Sequence, residues 1–121
     1  LIMYEISFND KFRKRTKDFA IAIIQYYIKL PKREEHKIIG KQLLRSATSV
    51  AANFRASCRA RSLKEKYAKL CTVVEESDET LFWLELFEES KLAIVSEEIK
   101  KEATEITKVM SSYRKTIKEK L

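Results

Sequence analysis

The chain has 121 residues, with 25 Lys and Arg against 18 Asp and Glu and a net charge of +7. Gly and Pro occur once each, which excludes hairpin-rich β-sandwiches and barrels as well as the glycine-rich phosphate cradles of Rossmann domains and P-loop NTPases. A content that is 45% hydrophobic and 36% charged suits long amphipathic helices.

The apolar spacing predicts four helices, over about residues 9–30, 32–59, 62–90 and 96–119, in one domain spanning residues 1–121. In the first, Phe12, Phe19, Ile23, Tyr26 and Leu30 recur at helical intervals. Pro31 ends it, because proline disfavours helical geometry in the residue before it. Pro31 is also suited to open the second helix at its first position, with Glu34 and Glu35 at the positive end of the dipole. Gly40 falls inside helix two, at a kink, at a close contact or simply tolerated. Ser62-Leu63-Lys64-Glu65 has the form of a capping box and starts helix three. Along that helix Tyr67, Leu70, Val74, Ser77, Leu81 and Leu84 step by three and four. Ser96-Glu97-Glu98 signals the next start, and Ile99, Ala103, Ile106, Met110, Tyr113 and Ile117 form a bundle seam. Short links between long helices predict an all-α, up-down-up-down antiparallel four-helix bundle.

A chain of this length buries roughly two-thirds of its unfolded surface and needs no disulfide. Cys58 and Cys71, both in apolar stripes with no second ligand at metal spacing, are read as buried reduced thiols of a cytoplasmic protein. Leu1–Glu5 lacks the charged start and apolar core of a signal peptide, and Leu1 leaves the natural start upstream or at Met3. The longest apolar run, residues 19–28, has ten residues and contains Gln25, well short of a membrane span.

No catalytic, cofactor-binding or metal-ligating residue is expected, and the chain reads as a non-enzyme. His36, the single histidine, sits beside Glu34, Glu35 and Lys37 and is expected to be a solvated surface residue. Di-iron bundles need two Glu-x-x-His pairs, which one histidine does not supply. The acids Glu75, Glu76, Asp78, Glu79, Glu85, Glu88 and Glu89 read as a solvated or partner-facing surface.

Helix two carries the functional signal. At 100° per residue, Leu43, Leu44, Ala47, Val50, Ala51, Phe54 and Cys58 form a core stripe, and Lys37, Lys41, Arg45, Arg55 and Arg59 gather within about 80° on another side. A third strip of small residues, Ser46, Ser49, Asn53, Ser57 and Ala60, suits close packing within or between chains. Residues 1–61 carry 14 basic against 5 acidic side chains and residues 62–121 carry 11 against 13. Such a basic half points either to nucleic acid or to an acidic partner surface. Helix three has apolar Phe82, Trp83, Leu86 and Phe87 on more than one face, a surplus that is commonly buried between subunits.

Leu30-Pro31-x-x-Glu34, then Gln42-Leu43-Leu44-Arg45-Ser46-Ala47-x-Ser49-Val50-x-x-Asn53, then Arg61-Ser62 resembles the small bacterial four-helix-bundle proteins encoded in 23S rRNA intervening sequences. The likeness extends over roughly residues 10–95. The accessory variability determinant protein of diversity-generating retroelements looks like a relative. The resemblance implies a ring-like homopentamer with a basic surface that binds RNA or DNA. Where many members read Ile-Ala-Glu-Gly after the asparagine, this chain reads Phe54-Arg55-Ala56-Ser57, losing an acid and gaining a base.

Two functions lead on these grounds, ahead of an enzyme with an unrecognised site. The first is a non-enzymatic oligomeric nucleic-acid-binding or scaffold protein, with phosphates meeting Lys37, Lys41, Arg45, Arg55, Arg59 and Arg61. Its subunit interface is expected at Ser46, Ser49, Asn53, Phe82, Trp83 and Phe87. The alternative is a protein–protein adaptor whose basic half docks an acidic protein partner or a neighbouring subunit. Neither involves a cofactor or a membrane.

Overall fold

The structure is a computed structural model that describes residues 2–121, with side chains from Ser7 onward. The side chains of Leu1–Glu5, on which the absence of a leader was read, lie outside the described residues. Four helices follow in order: α1 (Ile2–Ile28), α2 (Glu34–Cys58), α3 (Leu63–Glu89) and α4 (Glu97–Lys118). No strand occurs among the described residues.

The helix ends follow local backbone chemistry. α1 begins at Ile2, ahead of the expected start near residue 9; Phe8 already belongs to the packed face, its ring 5.4 Å from that of Phe12 and 4.7 Å from that of Tyr113. α1 closes with tightened bonds from Lys29 N–H to Tyr26 O and from Leu30 N–H to Tyr27 O. Pro31 does not open α2. Arg33 is the N-cap, in extended geometry, and Glu34 is the first helical residue. The extended backbone of Arg33 delays helix entry by two residues beyond the expected start. Ser62 and Ser96 cap α3 and α4 as their sequence signatures predict, accepting from Glu65 N–H at 3.1 Å and Ile99 N–H at 3.2 Å. The end of α3 is a Schellman closure: Leu92 N–H donates to Phe87 O and Lys91 N–H to Glu88 O, with Lys91 at φ 63°.

α2 packs on α1 and most extensively on α3; α3 packs on α4, and α4 returns to α1 along a thinner contact. Phe12 of α1 meets Phe54 near the end of α2, ring centres 5.6 Å apart, while Tyr27 and Leu30 crowd Gly40 near its start. Arg15 bonds Glu102 of α4 at 2.7 Å. The core joins all four helices through Phe12, Ile23, Leu43, Phe54, Leu70, Phe87, Ile106 and Met110. Its buried hydroxyls are satisfied locally: Thr16 donates to Phe12 O, Ser57 to Phe54 O, and Thr80 to both Glu76 O and Ser46 Oγ.

Three expectations change. The buried seam of α3 is Leu70, Val73, Ser77, Thr80, Leu84 and Phe87, rotated from the predicted set because polar Thr80 turns inward to meet Ser46. Phe87 is wholly buried, under the Tyr26 and His36 rings, so it belongs to the core and not to an outer surface. His36 is 4% exposed: its ring lies on Phe87 and its Nε2 bonds the Leu92 carbonyl at 2.8 Å. A buried imidazole on the first turn of α2, bonded to the loop after α3, replaces the expected solvated one.

Candidate functional site

The basic side chains of α2 separate into two environments. Arg45 points toward α3, where its guanidinium bonds Glu76 at 2.9 Å and also Glu79, whose carboxylate accepts from Trp83 Nε1 at 3.0 Å. Hydrogen bonding to Glu76 holds the Arg45 guanidinium above its ordinary pKa. Arg45 is therefore committed to an α2–α3 network. Arg61 lies in the α2–α3 link, highly exposed and 3.8 Å from Glu65.

Arg55 and Arg59 turn the other way. With α1 they line a cleft of about 680 Å³ whose walls carry Arg13, Lys14 and Lys17 on α1 and whose α2 side is Thr48, Ala51 and Ala52. Five cations line it against one carboxylate, Asp10. The alanines leave room between the helices, and the Thr48 hydroxyl is turned back to Leu44 O at 2.8 Å. Among the described residues Lys17, Arg55 and Arg59 make no ion pair. Arg13 and Lys14 are held by Asp10 and Asp18 at 2.6 and 2.8 Å. Those two are exposed pairs within one helix, worth under about 1 kcal/mol each, so a stronger anion displaces them at little cost. Like charges converging on a concave surface raise the local potential for an anion.

The α1 contribution was missed because helix two was read alone. The signal was present: Asp10, Arg13, Lys14 and Lys17 share one face at three- and four-residue steps. Lys37 and Lys41 are exposed on the first half of α2, on the same side as Arg55 and Arg59 and without ion pairs among the described residues.

Ser46 of the small-residue strip lies at the α2–α3 contact. Ser46 is fully buried there and accepts from Thr80 at 2.9 Å, which takes it off the outer surface. Asn53 Nδ2 donates to Ser49 O and Oγ, both at 3.0 Å, and both residues are half-buried. Phe82 is 50% exposed and packs edge-on against half-buried Trp83 at 4.9 Å. Cys58 and Cys71 are free thiols, half-buried where full burial was expected; burial pushes the Cys58 thiol up. Among the described residues, no group of three or more His, Cys, Asp or Glu is placed to hold a metal ion, and no helix is long and apolar enough to cross a membrane.

The sequence pattern of the 23S rRNA-intervening sequence proteins matches residues 9–112. The chain belongs to this family. A crystal structure of a protein of unknown function from the S23 ribosomal protein family of Bacteroides thetaiotaomicron is similar, with 31% identity and a TM-score of 0.79, covering 88% of this chain and 97% of that one. No curated protein matches. Within this 23S rRNA-intervening sequence protein, the α1–α2 cleft is the surface where cations from two helices converge.

Proposed function

We propose that this 23S rRNA-intervening sequence protein is a non-enzymatic, oligomeric nucleic-acid-binding protein that takes the phosphate backbone of RNA or DNA in the α1–α2 groove. The observation that carries the reading is the convergence of Arg13, Lys14 and Lys17 with Arg55 and Arg59 on one cleft. Lys37 and Lys41 extend the surface; Arg45 stays in its network with α3. Among the described residues no aromatic side chain lines the cleft, which favours backbone contact over base readout.

The bundle is taken as up-down-up-down on its short links between long helices, and the assembly as a ring-like homopentamer on the family resemblance. Half-exposed Phe82 beside Trp83 supplies an apolar patch for subunit contact. In a ring the groove is repeated, so weak phosphate contacts add by multivalency. Gel filtration with mass detection, with and without a mixed RNA and DNA pool at two salt concentrations, tests this reading. Co-elution at low salt that is lost at high salt supports it; no co-elution at either refutes it.

One observation favours the adaptor reading. Glu75, Asp78, Phe82, Glu85 and Glu89 are all exposed along one face of α3, an acidic stripe of the kind that a basic groove on another copy would accept. Dissociation of the oligomer on charge reversal in the groove, with no nucleic-acid binding by the parent protein, is the result that selects it.

A further inference from the structure

Beyond the cleft, the outer face of α1 changes character. At 100° per residue Lys17, Ile21, Ile24 and Ile28 fall within about 60° of one another, so the face that carries the cleft cations continues as isoleucine. Ile21, Ile24 and Ile28 are 47%, 36% and 56% exposed. On α2, Lys37, Lys41, Arg55 and Arg59 lie within about 40°, one cationic pair toward each end of the helix. Phe12 against Phe54 and Tyr27 against Gly40 set the register of the two helices, which brings Ile24 and Ile28 level with Lys41 and Lys37. The α1–α2 surface is thus a track whose α2 rail carries a cationic pair at each end, Lys37 with Lys41 and Arg55 with Arg59, with uncharged Thr48 and Ala52 between them, and whose α1 rail is cationic at one end and apolar at the other. From Lys37 to Arg59 it is about 33 Å long, at 1.5 Å per residue.

We infer that the occupant of this track is a single strand of nucleic acid, its phosphates on the α2 rail and its bases against Ile21, Ile24 and Ile28. The inference rests on the nucleic-acid reading and narrows it. A duplex keeps its base faces stacked inside and presents phosphates alone, so it neutralises the cations and leaves three isoleucines in water. A single strand has base faces free to cover apolar surface beside its own phosphates, so it satisfies both rails at once. A planar lipid surface would meet the isoleucines but would not enter the cleft between the α1 and α2 cations. At the roughly 3.4 Å spacing of stacked nucleotides the track takes about ten, and fewer when the strand is stretched.

The experiment measures anisotropy of a labelled 12-nucleotide single strand and of a 12-base-pair duplex with the full-length protein at 50 and 200 mM salt. The expected result is about tenfold tighter binding of the single strand, the gain from covering roughly 55 Å² of isoleucine surface. Ile21→Ser/Ile24→Ser/Ile28→Ser abolishes that preference without changing the salt slope, since no phosphate contact is lost. Arg55→Ala/Arg59→Ala weakens both probes and lowers the single-strand slope by about 1.4. Circular dichroism and solution mass confirm that both variants keep the parent's fold and assembly. Duplex bound as tightly as single strand, or a triple-serine variant that binds both probes as the parent does, overturns the inference and leaves the nucleic-acid reading standing. Neither probe bound at 50 mM salt overturns that reading itself. Phosphatidylserine vesicles that bind the parent but not the triple-serine variant, with oligonucleotide binding unchanged, assign the isoleucines to a lipid surface and also overturn the inference.

Discussion

His36 Nε2 lies 2.8 Å from the backbone oxygen of Leu92, joining the first turn of α2 to the loop after α3. A carbonyl only accepts, so Nε2 carries a hydrogen, and Nδ1 is buried without a hydrogen-bond partner among the described residues. The ring also covers Phe87. His36→Ala removes the bond and the packing together and is expected to cost about 2 kcal/mol in urea unfolding. His36→Phe keeps the packing, and its expected cost is about half as large.

Gly40 is a close-contact glycine. A Cβ there would lie 3.0 Å from the Tyr27 ring and 3.2 Å from the Leu30 side chain. Overpacking at such a site costs about 1–3 kcal/mol. Gly40→Leu is expected to lower the melting temperature, and Tyr27→Ala in the same chain to recover part of the loss.

Lys91 holds φ 63° to close α3, a conformation that costs a side-chain-bearing residue about 1 kcal/mol or more. Lys91→Gly is expected to raise stability by about 0.5–1 kcal/mol. Equilibrium denaturation measures it; a lower midpoint contradicts the assigned closure.

Ile106 is 1% exposed, at the centre of the α4 seam. Ile106→Asp buries an unpaired carboxylate and is expected to unfold the chain. A folded variant by circular dichroism contradicts the register.

Much of this architecture was legible in the sequence. Apolar periodicity placed all four helices, and the α4 seam is buried or half-buried at every expected position. Ser62 and Ser96 announced their helices because an N-cap is a local interaction. Tertiary features were less legible. Burial of His36 depends on Phe87 and Leu92, more than fifty residues away. The inward turn of Thr80 depends on Ser46 of another helix. Lys91 carries no glycine to mark a left-handed residue. The groove needed two helices at once: Arg55 and Arg59 were visible on α2, but their companions Arg13, Lys14 and Lys17 required knowing how α1 lies beside them. Arg45 shared the helical face of Arg55 and Arg59 closely enough to be grouped with them, until the acids of α3 claimed it.

That division of the arginines gives the most direct measurement. Arg55→Glu/Arg59→Glu places two carboxylates in the cleft, while Arg45→Ala removes a cation committed elsewhere. Anisotropy titration of labelled RNA and DNA at 50 mM salt is expected to show binding by the parent, retained binding by Arg45→Ala, and loss by Arg55→Glu/Arg59→Glu with helical content unchanged. Undiminished binding by Arg55→Glu/Arg59→Glu would contradict the assignment of the α1–α2 groove as the phosphate-binding site.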